Sequence, residues 1–149
     1  MRMSRLALTI GLFVGPAIHP QSTHLTAGRS TSSPHCQGPN GLVGWTLLYR
    51  VPGSPQVGML PGELIVSRRG HVLQRLPGHP FIWDWFFWDD QSVAMLSGPL
   101  HSGFECDLLD IHSGKLIAGY NCYDDPPDRP PGWVQQLLNG NSSASSPCD

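Results

Sequence analysis

Between residues 42 and 123 the apolar positions fall into short runs, each closed off by Gly, Pro, Ser or Asp. The runs are GWTLLYRV, GELIV, HVLQRL, FIWDWFFW, SVAML, ECDLLDI and KLIAGY. They are five to eight residues long and rich in leucine, β-branched and aromatic side chains, which suits a pleated, half-buried surface. No comparable window places apolar residues at the i, i+3, i+4, i+7 spacing of a helix. The pattern predicts an all-β chain, an antiparallel meander of about six or seven strands over residues 42–123.

Two stretches of this region repeat. ELIVSRRGHVLQRL (63–76) lies over DLLDIHSGKLIAGY (107–120) without a gap, bringing Glu63 onto Asp107, Leu64 onto Leu108 and Gly70 onto Gly114. Upstream, Gly53 and Gly58 fall on Gly98 and Gly103, one residue out of step. The repeats span 45–76 and 81–120, and each carries one glycine where a hairpin must turn. A residue without Cβ enters the φ > 0 region at no steric cost, so Gly70 and Gly114 are the expected turn positions.

The flanks differ in composition. MRMSR followed by LALTIGLFV and Gly15-Pro16-Ala17 has the charged, apolar and small-residue order of a secretory signal, read as residues 1–17. Residues 18–41 are rich in Ser, Thr, Pro and Gly and read as a linker. Residues 124–149 read as a Pro- and Ser-rich tail, with a short helix near 133–138 before Asn139-Gly140. Both flanks are expected to be disordered. Asn141-Ser142-Ser143 fits the N-glycosylation acceptor pattern.

Four cysteines in a short chain with an export signal suggest disulfides. Cys106 and Cys122 flank one predicted hairpin, so the economical pairing is Cys106 with Cys122 and Cys36 with Cys148. No Cys-x-x-Cys spacing points to zinc or redox chemistry. The expected location is secreted or periplasmic, with no transmembrane segment once the signal is removed.

Charge narrows the partners. Charged residues make up 13% of the chain and its net charge is -2, about half the usual charged fraction and no basic stripe for a phosphate backbone. Nucleic acid is therefore not expected. Gly 17 and Pro 15 fit a turn-rich chain.

The run WFFWDDQSVAMLSGPLHSGFECDLLDIHSGKLI resembles a blade of secreted β-propellers of the TolB-like or WD type. Trp85, Asp89, Asp90, Val93, Ala94, Leu108, Asp110, Gly114 and Lys115 carry the likeness. A period near 44 residues is that of four-stranded blades. The resemblance implies a binding or assembly platform and assigns no catalytic residue. Two such units do not close a ring, so the resemblance implies sheets packing on each other as a small sandwich, an association of chains, including a homo-oligomer, or a fragment or decayed relative of a longer propeller.

Candidate chemistry is sparse. Asp84, Asp89, Asp90, Asp107 and Asp110 raise the possibility of a carboxylate pair, but Asp89, Asp90 and Asp110 sit where aspartate serves turns. His71, His79, His101 and His112 lie at or beside turns without metal-ligand spacing, so no metal and no cofactor are expected. The remaining candidate is FIWDWFFWDD (81–90). On a regular strand Phe81, Trp83, Trp85 and Phe87 share one face and Ile82, Asp84, Phe86 and Trp88 the other. The second face, with Asp84, Phe86 and Trp88, is the candidate binding surface for a protein or glycan. The function this implies is a non-enzymatic binding module, the alternative being a small hydrolase or accessory domain using Asp84 or Asp89 with His101.

The turn assignment has a direct check. Gly114→Val is expected to lower the thermal midpoint well below that of His112→Ala; equal losses in the two melts would remove the glycine turn.

Overall fold

The computed structural model describes residues 31–51, 53–54, 56–123 and 128–140. The residues read as a signal (1–17), Cys148 and Asn141 lie outside them. The glycine-marked hairpins are present. At the first, Arg68 pairs with His71 across a two-residue loop in which Arg69 has φ 51 and Gly70 φ 80. This is the left-handed pair that a tight hairpin requires, and Arg69 enters it despite the Cβ clash that glycine avoids. At the second, Gly114 has φ 68, and its N–H donates to the Asp110 carbonyl at 2.8 Å. A Cβ there would come within 2.9 Å of Gln74 Nε2, so position 114 is restricted by space as well as by φ.

The described residues are all-β with one short helix, and their strands form two antiparallel sheets. The first holds β1 (Thr31–Ser32), β2 (Cys36–Gln37), β3 (Leu42–Arg50), β4 (Met59–Arg68) and β5 (His71–Pro77), in the order β1-β3-β4-β5 with β2 also on β3. The second is a meander of β6 (Phe81–Phe87), β7 (Ser92–Gly98), β8 (Glu105–Asp110) and β9 (Leu116–Asn121). Pairing thus begins at Thr31, whereas composition marks residues up to 41 as linker. The polar segment pairs because β3 offers it a free edge: Ser33 N–H donates to the Thr46 carbonyl at 2.9 Å, and His35 stacks on Trp45 with ring centroids 4.4 Å apart. These two short strands are what takes the count above six or seven.

One irregularity reverses the expected faces of the aromatic strand. Ile82 pairs with Ser97 but Asp84 pairs with Leu96, leaving Trp83 as an extra residue in β6. Such a bulge shifts the period-two alternation by one. Ile82, Trp85 and Phe87 therefore all belong to the core between the sheets. The grouping of Trp83 with Trp85 and Phe87 fails for this reason. Trp83 instead bonds through Nε1 to the Gly98 carbonyl at 3.0 Å and packs edge-on to Phe81 and Phe104.

Two cores result. Leu42, Leu64, Val66 and Leu76 of the first sheet meet Ile82, Val93, Met95 and Leu109 of the second, together with Ile111. On the far side of the second sheet, Phe86, Ala94, Cys106, Leu108 and Cys122 meet Trp133, Val134 and Leu137. Those last three belong to α1 (Gly132–Leu138). The second sheet is thus the middle layer, and its alternating positions are apolar on both sides. The Cys106–Cys122 disulfide lies in the helix-side core. Cys36 is also disulfide-bonded.

The sheets meet most closely where two glycines of the first receive aromatics of the second. A methyl group at Gly44 would lie 2.8 Å from Trp85 Cζ3, and one at Gly38 would lie 2.9 Å from Phe87 Cγ. At the neighbouring end, Asn40 Nδ2 donates to Asp90 Oδ2 at 2.7 Å and Arg68 donates to the Asp90 carbonyl at 3.0 Å.

Gly44→Ala is expected to lower unfolding stability by about 1–3 kcal/mol, the usual cost of overpacking. In urea melts, adding Trp85→Phe should relieve part of that loss. Strict additivity would show that the two positions do not press on one another.

Candidate functional site

Two clefts collect the polar side chains. The first lies at the end of β6. Trp88 is 43% exposed while Phe86 is 8% exposed, and their rings meet edge-on at 6.3 Å. The indole also lies against the start of α1, where a Cβ on Gly132 would be 3.3 Å from Trp88 Cη2. The cleft beside it has a volume of about 360 Å³ and is lined by Asp89, Asp90, Gln91, Ser92, Leu108, Asp110 and Ile117.

Both turn aspartates are occupied on one oxygen. Asp89 Oδ1 accepts from Gln91 N–H (2.9 Å), Ser92 N–H (2.6 Å) and Ser92 Oγ (2.7 Å). Asp110 Oδ1 accepts from His112 N–H (3.1 Å), Ser113 N–H (2.7 Å) and Ser113 Oγ (2.7 Å). The sequence signal is an Asp-x-x-Ser at each turn, in which a short carboxylate reaches the backbone two and three residues on. Burial pushes the Asp89 carboxyl up, but the hydrogen bonds from Ser92 and Gln91 outweigh it and hold the group below its ordinary value. Asp110 is also held low, chiefly by the Ser113 hydroxyl and backbone N–H.

The predicted site residues are thus divided. Trp88 lines a cleft, Phe86 supports it from the helix-side core, and Asp84 does not line it. Asp84 Oδ1 instead accepts the Trp85 N–H at 2.8 Å, next to the bulge. Asp89 and His101 do not come together. They lie beyond opposite ends of β7, a strand of seven residues and so roughly 20 Å long.

The second cleft lies between the sheets on the side of β5 and β9. Its volume is about 560 Å³, and its apolar wall includes Leu76, Met95, Leu109 and Leu116. Into it face His79, from the link between the sheets, and Glu105 and Asp107, alternate residues of β8. His79 Nδ1 is 3.2 Å from Glu105 Oε2 and 3.9 Å from Asp107 Oδ2. Asp107 is only 7% exposed, and among the described residues it accepts no hydrogen bond. Burial pushes its carboxyl upward, His79 opposes this, Glu105 reinforces it, and the result is a raised pKa. Gly119, paired with Asp107 across β8 and β9, leaves the carboxylate its space, since a Cβ there would be 3.1 Å from Oδ1.

Sequence reasoning passed over Glu105 and placed His79 among turn residues. The readable signal was ECDLLDI, where acids at 105 and 107 share the face of a strand whose next inward residue is Leu109. The contribution of His79, 26 residues from Glu105, had no local signature. Among the described residues no helix is long and apolar enough to cross a membrane. Comparison with known proteins found no matching family model, no matching curated protein and no matching solved structure.

Asp107 sets a pH-dependent penalty. A folded pKa above the unfolded value gives stability that is complete below the unfolded pKa and lost as pH rises through the folded one. Asp107→Asn is therefore expected to be more stable than the native chain at pH 7, with the gap closing as pH falls toward the ordinary value of 3.8. Denaturant melts across pH measure this; a neutral-pH loss of stability in the variant would contradict it.

Proposed function

We propose that the chain is a secreted or periplasmic, non-enzymatic binding module that holds a glycan through Trp88. The observation that carries this reading is an indole, 43% exposed, fixed between Phe86 and Gly132 at the wall of a cleft rimmed by carboxylates. Indole offers a broad apolar face on which the C–H side of a sugar ring stacks. Carboxylates accept hydrogen bonds from sugar hydroxyls. Asp89 and Asp110 suit that role because their turns keep them anionic.

Export is supported by the signal-like start and by the Cys106–Cys122 disulfide, a bond that persists in oxidising compartments. The resemblance to propeller blades is part of the same proposal. Its support is the consecutive β6-β7-β8-β9 meander and the β3-β4-β5 hairpins, with β1 and β2 in the place of a fourth strand. The hydrolase reading has less behind it, since Asp89 is committed to its turn and stands far from His101. A protein partner is the second reading, favoured by Ile117, which is 56% exposed, lines the Trp88 cleft and sits on edge strand β9. An open edge accepts a further strand through its backbone.

A glycan array and a pull-down, run on the native chain and on Trp88→Ala, separate these. Glycan signal lost in the variant, with its thermal melt retained, is the expected result. Protein capture without glycan binding favours the β9 edge. Turnover of a chromogenic hydrolase panel that Asp84→Asn abolishes would overturn the binding-module reading.

A further inference from the structure

We propose that His79, Glu105 and Asp107 form a site for one divalent transition-metal ion of the zinc class. The site shares no lining residue with the Trp88 cleft and stands independently of the glycan reading.

Geometry is the first support. One ligand atom from each of the three residues lies within 4.8 Å of the others, with His79 Nδ1 at 3.2 Å from Glu105 Oε2 and 3.9 Å from Asp107 Oδ2. In a tetrahedral site with bonds of about 2.05 Å, ligand atoms stand roughly 3.3 Å apart. Small rotations of His79 and Glu105, whose side chains are each 56% exposed, bring the set to that spacing around a fixed Asp107. The open volume of the cleft leaves room for water as a fourth ligand.

The second support is Asp107 itself. Asp107 is 7% exposed, faces the cleft and has His79 Nδ1 at 3.9 Å, beyond hydrogen-bond reach, where a leucine like its inward neighbour Leu109 would avoid the cost of burying a carboxyl. The His79–Glu105 pair at 3.2 Å is the closer one, and it leaves Asp107 as the more distant partner of the same imidazole at 3.9 Å. A dication draws all three onto one centre and balances the two carboxylates that stand together there. The donor set selects the metal class. An imidazole nitrogen with two carboxylate oxygens suits zinc and its neighbours, whereas Ca²⁺ and Mg²⁺ favour oxygen alone.

The test uses the full, disulfide-bonded chain stripped with EDTA. Zn²⁺ is titrated by calorimetry and Co²⁺ by its visible absorbance, for the native chain, Asp107→Asn and Glu105→Gln. The native chain is expected to take up one ion with a saturable isotherm and to melt at a higher temperature with Zn²⁺ present. Both variants should bind at least about tenfold more weakly, since even residues behind metal ligands commonly cost that much. Glu105 is exposed, so Glu105→Gln leaves folding intact and keeps the comparison valid if Asp107→Asn disturbs it. Failure of the native chain to bind either ion saturably overturns the proposal. So does binding that both variants retain at native affinity, which would place the ion on other histidines of the chain.

Discussion

The fit of the two sheets depends on Trp85 and Phe87 lying against Gly44 and Gly38, and Ile82 joins them on that side only because Trp83 is bulged out of β6. Without the bulge, Ile82 would face the helix side while Trp85 and Phe87 faced the first sheet. With it, all three enter one core. The glycines complete the arrangement, since a side chain at 38 or 44 would occupy the space of an aromatic ring. Close-packed interiors do not absorb such volume without backbone movement.

Contact at one side leaves room at the other. The sheets meet through β4 and β6 and are tied at the turn by Asn40, Arg68 and Asp90. On the side of β5 and β9 the wall opens instead into the cleft that holds His79, Glu105 and Asp107. Gly119 enlarges the opening beside Asp107 in the same way that Gly44 admits Trp85, by the absence of a Cβ. Glycine thus makes space for packing in one place and for a carboxylate in the other.

What the sequence conveyed follows from how local each cause is. The all-β class, the turns at Gly70 and Gly114, the aspartates at turns and the Cys106–Cys122 pair depend on residues close in the chain or on a period of two. Residues 31–37 look like linker because their composition carries no period; their pairing comes from the free edge of β3. The bulge at Trp83 was hidden for a related reason. Alternation assigns faces only while register is unbroken, and nothing within FIWDWFF marks the break. Trp88 kept an exposed position, whereas Phe86 went into the core against α1, a partner that lies far down the chain. His79 joins Glu105 and Asp107 through tertiary packing alone.

The aspartates make the same distinction in chemical terms. Asp89 and Asp110 each receive three hydrogen bonds on one oxygen and are held acidic. Asp107, on a strand between Cys106 and Leu108, receives none among the described residues and is held less acidic. Turn carboxylates stabilise the backbone that surrounds them. Asp107 does the reverse at neutral pH, because burial disfavours its charge more than His79 favours it. Cost of this kind gathers where a protein handles a ligand more often than where it only packs. Asp107 therefore differs from the turn aspartates Asp89 and Asp110 in what its surroundings do to its charge, and that difference is what the metal proposal draws on.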